Sequence, residues 1–202
     1  MLFPPLAQFV ARYPEIDLDI QLEDRVVDIV GEAVDLVVRT GELADSSLIA
    51  RRLGPQHFVV CGAPDYFARH PVPRTPCDLA THRGIHFRFP TSGLLQPWPF
   101  AAEFAHTPIP GGLTFNNSDG IAQAVLSGVG VGLLPVYVAR PFIDSGALCP
   151  VLAEYMVPRG SLWLGWPSNR HRSPALRAFA DFVIEHLPET LMRPIEAAST
   201  AL

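Results

Sequence analysis

Residues 113–135 read LTFNNSDGIAQAVLSGVGVGLLP, and their order decides the fold class. Leu113–Phe115 reads as a short strand. Asn116-Asn117-Ser118-Asp119 follows, a cluster whose side-chain oxygens accept from the free N–H groups at a helix start. The helix runs to about Ser127, and the buried strand Val129–Leu134 comes next. Pro135 opens another helix to about Ser145, which Gly146 caps. Strands and helices in alternation predict an α/β protein with a parallel sheet covered on both faces. Ligands of such folds sit beyond the carboxyl ends of the strands.

Working outward, Ile85, Phe87 and Phe89 alternate with His86 and Arg88, which predicts a strand. Thr75-Pro76-Cys77-Asp78 resembles a capping box, and a short helix is expected over about 65–70. Leu48–Leu53 and Phe58–Cys61 flank Gly54-Pro55 and read as an antiparallel pair, while Val34–Val38 reads as a buried parallel-type strand. Asp24 caps a helix expected over about 25–32, with Val26, Val27, Val30 and Val34 inward. Ile16-Asp17-Leu18-Asp19-Ile20-Gln21-Leu22 alternates strictly, as a strand with one buried face does. Residues 4–13 form a helix with Leu6, Phe9, Val10 and Tyr13 on one face, stopped by Pro14. Beyond the central stretch, strands are expected at 147–152 and 161–166. A last helix from Ser173-Pro174 buries Leu176, Phe179, Val183 and Leu187 and ends at Pro188, and the tail 189–202 is frayed. The series occurs twice, which favours two lobes. The chain opens on a helix where a preceding strand completes the first unit, so the sequence starts inside a fold.

The chain has 202 residues with 17% charged and 49% hydrophobic, enough for a core that needs no metal or disulfide staple. No run of about 18 apolar residues occurs, so no membrane-spanning helix is expected. MLFPPLAQFVARYPE has no basic leader and two early prolines, so it does not read as a signal peptide. Cys61, Cys77 and Cys149 are odd in number without CxxC spacing, as expected of reduced thiols in the cytoplasm. Net charge is −5, and the 15 basic residues, all arginine, are scattered, with Arg51-Arg52 the longest run. These residues carry no electrostatic footprint for DNA.

Three segments together are specific: FPPLAQFVARYPEIDLDIQLEDRVVDIVGEAVDLVVRTGELADSSLIARRLG, then VVCGAPDYFARHPVPRTPCDLATHRGIHFRF, then FNNSDGIAQAVLSGVGVGLLPVYVARPFIDSGALCPVL. In order and spacing over about residues 2–187 they resemble the effector-binding domain of LysR-type transcriptional regulators. The resemblance implies two Rossmann-like lobes of the periplasmic-binding-protein type II kind, joined by two crossover strands. Lobe I would be 1–61 plus 148–202 and lobe II 62–147. It further implies a small-molecule effector bound between the lobes, a homodimer or tetramer, no cofactor and no catalysis. The N-terminal winged helix-turn-helix, its linker helix and the first strand of lobe I have no counterpart here. DNA binding would belong to that absent head.

The candidate effector-binding residues lie at strand ends. Asn117, Ser118 and Asp119 open a helix whose N–H groups and positive dipole end suit a carboxylate. The same residues also serve as an ordinary cap, and the resemblance favours the effector loop. Asp24, and Arg39, Thr40 and Gly41, stand at the carboxyl ends of lobe I strands. Arg39 can grip a carboxylate bidentately or bridge Asp24 or Asp35, and both readings stand. Phe89, Pro90 and Thr91, beside Arg88 and Ser92, occupy the corresponding place in lobe II. Phe9 and Val10, with Ile121 and Val125, are dimer-interface candidates that also serve their own lobes.

Enzyme readings fare worse. Gly128-Val129-Gly130-Val131-Gly132 resembles a dinucleotide loop, but its helix precedes and its strand follows, the reverse of the phosphate-binding order. A close helix-to-strand turn accounts for it. His82-x3-His86 has helical metal spacing, yet His86 falls in a strand, so a solvated pair without metal is expected. No GxSxG, HExxH or GK[ST] string occurs. Asp17 and Asp19 read as a solvated face. Two alternatives remain: a solute-binding protein of a transporter, and an α/β oxidoreductase.

Overall fold

The computed structural model describes residues 3–24, 29, 31–41, 48–168, 173–186 and 193–195. Two compact units divide the chain, Met1–Gln56 with Gly160–Leu191 and His57–Arg159 with Met192–Leu202.

The first unit holds a three-stranded antiparallel sheet. Its strands are β1 (Val37–Gly41), β2 (Leu48–Pro55) and β8 (Ser161–Pro167), in the order β1-β8-β2. β8 pairs with β1 through Val38↔Leu164 and with β2 through Ile49↔Trp166, and Leu164 and Trp166 point into the core. Two helices serve this unit, α1 (Phe3–Arg12) and α5 (Pro174–His186). Leu176, Ala180 and Val183 of α5 recur at helical spacing and pack on the sheet with Val38, Ile49 and Leu53. Phe9 of α1, with no exposed surface, meets the rings of Phe179 and Phe182 edge-on at 5.0 and 5.1 Å.

The second unit is built on a five-stranded mixed sheet: β3 (Phe58–Gly62), β4 (Gly84–Phe87), β5 (Gly111–Phe115), β6 (Val131–Pro135) and β7 (Cys149–Val151), ordered β5-β4-β6-β3-β7. Its helices are α2 (Pro64–Phe67), α3 (Ser118–Leu126) and α4 (Val136–Asp144), with a 3-10 helix at Pro76–Thr81. Strand alternation splits its core in two. Val59, Cys61, Ile85 and Leu134 face α3 and α4, whereas Val60, Val131 and Leu133 face Tyr66, Leu79, Trp98 and Phe100. Both faces are covered, which is why β6 reads as a continuous apolar run. The glycine series is the close turn expected: Gly128 has φ +69, and a Cβ on Gly132 would stand 2.6 Å from Val125 of α3.

Several expectations are corrected. β2 and β3 do not pair with one another; β2 pairs with β8, and β3 with β6 and β7. A tight hairpin needs a turn residue at positive φ, and Gly54 has none; a register shift between Arg52 and Gly54 carries the chain on. Val34–Val38 is not a buried parallel strand: β1 begins at Val37, is half-buried and runs antiparallel to its neighbour β8. The sheets are not parallel throughout, parallel pairing being confined to β4 with β5 and β4 with β6. Residues 16–22 form no strand, because alternation buries a face only where a neighbouring strand exists; Ile20 is 46% and Leu22 73% exposed. The expected helix at 25–32 lies largely outside the described residues, as do Leu187 and most of the tail. Within the tail Arg193–Ile195 is docked, not frayed: Arg140 Nη2 donates to Arg193 O at 3.0 Å, and Ile195 packs on the α3–α4 core.

Candidate functional site

In the second unit the site begins with the β4–β5 register, Ile85↔Leu113, His86↔Thr114 and Phe87↔Phe115. Parallel pairing sets both carboxyl ends side by side, and Arg88 N–H extends the ladder by donating to Phe115 O at 2.7 Å. Two loops leave this edge together. One is a tight turn in which Gly93, at φ +71, donates to Phe89 O and Phe89 donates to Leu94 O, at 2.8 and 2.9 Å. Arg88 Nη1 donates to Gly93 O at 2.6 Å, so this guanidinium ties the turn. Phe89, Pro90 and Thr91 are exposed, and the Phe89 ring rests edge-on against Phe87 at 5.3 Å.

The other loop carries Asn116 and Asn117 into α3. Asn117 is its N-cap: its Oδ1 accepts from Gly120 N–H at 2.7 Å. A Cβ at position 120 would meet that same oxygen at 2.7 Å, so glycine lets the cap close. With Oδ1 engaged, Nδ2 is the remaining side-chain donor of Asn117. Ser118 is half-buried, and Asp119 is exposed in the first turn. The structure thus brings Phe89, Pro90 and Thr91 together with Asn117, Ser118 and Asp119. The positive end of α3 and an amide donor suit an anionic oxygen, and the Phe89 ring suits a flat apolar body. The Asp119 carboxylate on the same turn favours a ligand that also offers a donor.

In the first unit Arg39 and Thr40 lie within β1, and Gly41 ends it at φ +101. The Gly41 carbonyl accepts from Trp163 Nε1 at 2.8 Å. Asp24 is an exposed bend residue. Sequence reasoning missed the row Arg39↔Trp163↔Arg52 across the three strands, which puts two arginines and a tryptophan at one level of the sheet. Arg52 Nε donates to Ser161 Oγ at 2.9 Å. The alternation in Ser161–Pro167 carried the signal, but the mistaken β2–β3 pairing hid the partner.

The interface candidates divide by exposure. Phe9, Ile121 and Val125 are fully buried within their own units, and Val10 is 53% exposed. His82 and His86 are buried, not solvated. Burial lowers the pKa of both, the nearby charge of His70 adding to the effect at His82 and the Pro110 and Ile109 backbone opposing it at His86. Among the described residues no cluster of His, Cys, Asp and Glu could hold a metal ion, and no helix is long and apolar enough to cross a membrane.

The LysR substrate binding domain model matches residues 1–188. The chain belongs to this family. It is 34% identical over 179 residues to the HTH-type transcriptional regulator YcaN of Escherichia coli, covering 88% of this chain and 59% of that protein. It is likewise 34% identical over 191 residues to an HTH-type transcriptional regulator of Xanthomonas campestris, covering 91% of this chain and 55% of the relative. The chain therefore spans less than two thirds of the length of these curated relatives. Among solved structures, the regulatory domain of CrgA, a LysR-type regulator from Neisseria meningitidis, superposes with a TM-score of 0.83 at 30% identity. That match covers 93% of this chain and 92% of the other. The effector domain of the regulator AmpR of Pseudomonas aeruginosa gives 0.74 at 29% identity, over 91% and 87% of the two chains. The fold is accordingly the type II periplasmic-binding-protein-like α/β fold of LysR regulatory domains. The transporter solute-binding reading gives way to the effector-sensing domain of a LysR-type regulator.

Proposed function

We propose that this LysR domain senses a small anionic or aromatic metabolite, without transforming it, through the strand-end loops Phe89–Thr91 and Asn117–Asp119. Within the first unit, Arg39, Thr40, Gly41 and Asp24 are proposed as ligand contacts in their own right. The observation that carries the reading is the β4–β5 register, which sets an exposed aromatic turn beside the capped positive end of α3. Ligand affinity that differs between two conformations shifts their populations, and only that difference transmits a signal. In the longer protein, a cytoplasmic homodimer or tetramer would relay the shift to a winged helix-turn-helix head that contacts DNA. Val10 is the interface candidate with surface to offer; Phe9, Ile121 and Val125 would support it from beneath.

The test separates the cap from the ligand. Asn117→Asp keeps an oxygen for the Gly120 N–H, since Asn and Asp are about equal as caps, but removes the amide donor and adds a repelling charge. In a thermal-melting screen against carboxylates and aromatic acids, the parent chain is expected to gain stability with one class of ligand. Asn117→Asp and Thr91→Val should melt normally and lose that gain. Variants that keep the full ligand response would refute the site.

A further inference from the structure

A cleft of about 670 Å³ lies elsewhere in the second unit, on the segment that runs from Pro71 through the 3-10 helix to His82. Its size is that of a small-molecule site, which typically falls between about 300 and 1,000 Å³. Pro71, Val72 and Pro73 form one wall, and Arg74, Asp78, Thr81 and His82 supply its polar groups.

His82 is the informative residue, at 3% exposure. Its Nδ1 lies 3.1 Å from Tyr66 Oη, and that oxygen also receives the Arg83 N–H at 3.3 Å. When the phenol gives its proton to Nδ1, the imidazole proton sits on Nε2. Nε2 has no hydrogen-bond partner among the described residues, nor is it sealed from solvent. A deeply buried imidazole thus lines the cleft with one ring nitrogen that makes no hydrogen bond among the described residues.

The charges are equally specific. Asp78 Oδ2 accepts the backbone N–H groups of Arg74 and Thr75 at 2.9 and 2.8 Å, and these bonds, with a hydrogen bond from the Thr75 side chain, hold the carboxyl below its usual range. Arg74 makes no ion pair with it among the described residues, although both line the cleft. Thr81 Oγ1 donates to Asp78 O at 3.0 Å, which leaves that oxygen its acceptor capacity. A simple anion would meet the Asp78 charge, and a simple cation would meet Arg74. A molecule carrying both charges a few bonds apart satisfies both groups.

We propose that this cleft binds a small zwitterion, an apolar α-amino acid, as a site separate from the strand-end loops. Its carboxylate would meet Arg74 and His82, its ammonium the Asp78 carboxylate and Thr81, and its side chain Pro71, Val72 and Pro73. The proposal does not rest on the effector reading.

Calorimetric titration of the 202-residue chain with L-leucine, 4-methylpentanoate and 3-methylbutylamine tests it. Leucine is expected to bind, with an affinity near 1 mM suited to so open a site. Each probe lacking one charge should bind about tenfold more weakly or worse. Arg74→Gln, on an exposed residue, should melt like the parent and bind leucine about tenfold more weakly. Asp78→Asn retains an oxygen for the two backbone N–H groups and should show the same loss. Asn117→Asp should leave leucine binding intact. The proposal is overturned if leucine gives no heat, if a singly charged probe binds as well, or if Asn117→Asp abolishes binding while Arg74→Gln does not.

Discussion

Three histidines, His57, His82 and His86, have pKa values lowered from their ordinary 6.5, in each case chiefly by burial. For His82 the opposing influence is Asp78 and the reinforcing one is His70, while the facing Tyr66 hydroxyl is a neutral donor. The sign follows directly. Below pH 6.5 the unfolded chain takes up protons that the folded chain refuses, so these residues reduce stability as pH falls through that value. Above it they contribute no pH dependence. Asp78 has the same sign in a lower window: its lowered pKa supplies stability above 3.8 that is lost as pH falls toward the depressed value. Thermal melting followed from about pH 8 to pH 5 should therefore show a plateau and then a decline beginning near the ordinary histidine range. A flat profile across that decline would mean the imidazoles are solvated, as their spacing alone suggested.

At the scale of elements, the docking of α1 on α5 makes a sharp prediction. Phe9 is fully buried against two edge-on phenylalanine rings, so Phe9→Ala removes a large ring and leaves a cavity, at a cost of about 3–5 kcal/mol. Val10→Ala, one residue on and largely exposed, should stay within about 0.5 kcal/mol. Urea denaturation of the two variants checks the contrast, and equal effects would mean that α1 does not dock as described. The same helix shows what a sequence makes legible. Helical spacing marked Phe9, alternation marked β4, and cap chemistry placed the start of α3 within Asn116–Asp119, where Asn117 is the N-cap. Pairing was less legible, because the choice of neighbour depends on contacts far along the chain. Nothing in Leu48–Pro55 announces β8 as its partner, and Ile16–Leu22 alternates like a strand without finding one among the described residues. For the site, the strand-end loops were readable because caps and tight turns are local. The Arg39↔Trp163↔Arg52 row and the His82 cleft were not, since each depends on distant segments meeting.

For the molecule as a whole, charge decides which partner it can meet unaided. Fifteen arginines stand against 20 acidic residues, giving −5 at pH 7. Those visible in the structure are dispersed or engaged: Arg88 ties its own turn, Arg140 holds the docked tail segment, and Arg69 donates to Gly128 O. DNA affinity derives largely from phosphate neutralisation with counterion release, which needs a concentrated positive surface. A domain whose relatives regulate transcription should thus bind no duplex on its own, and the head that does so must bring its own cations. Fluorescence anisotropy of a labelled duplex, titrated with this chain at low salt, should show no change with or without a stabilising carboxylate. Fusion of a winged helix-turn-helix segment to its N-terminus should confer binding whose salt dependence reflects the cations of the added segment alone. Retention of DNA by the 202-residue chain, with a steep salt dependence, would instead place a nucleic-acid surface within the sensory domain itself.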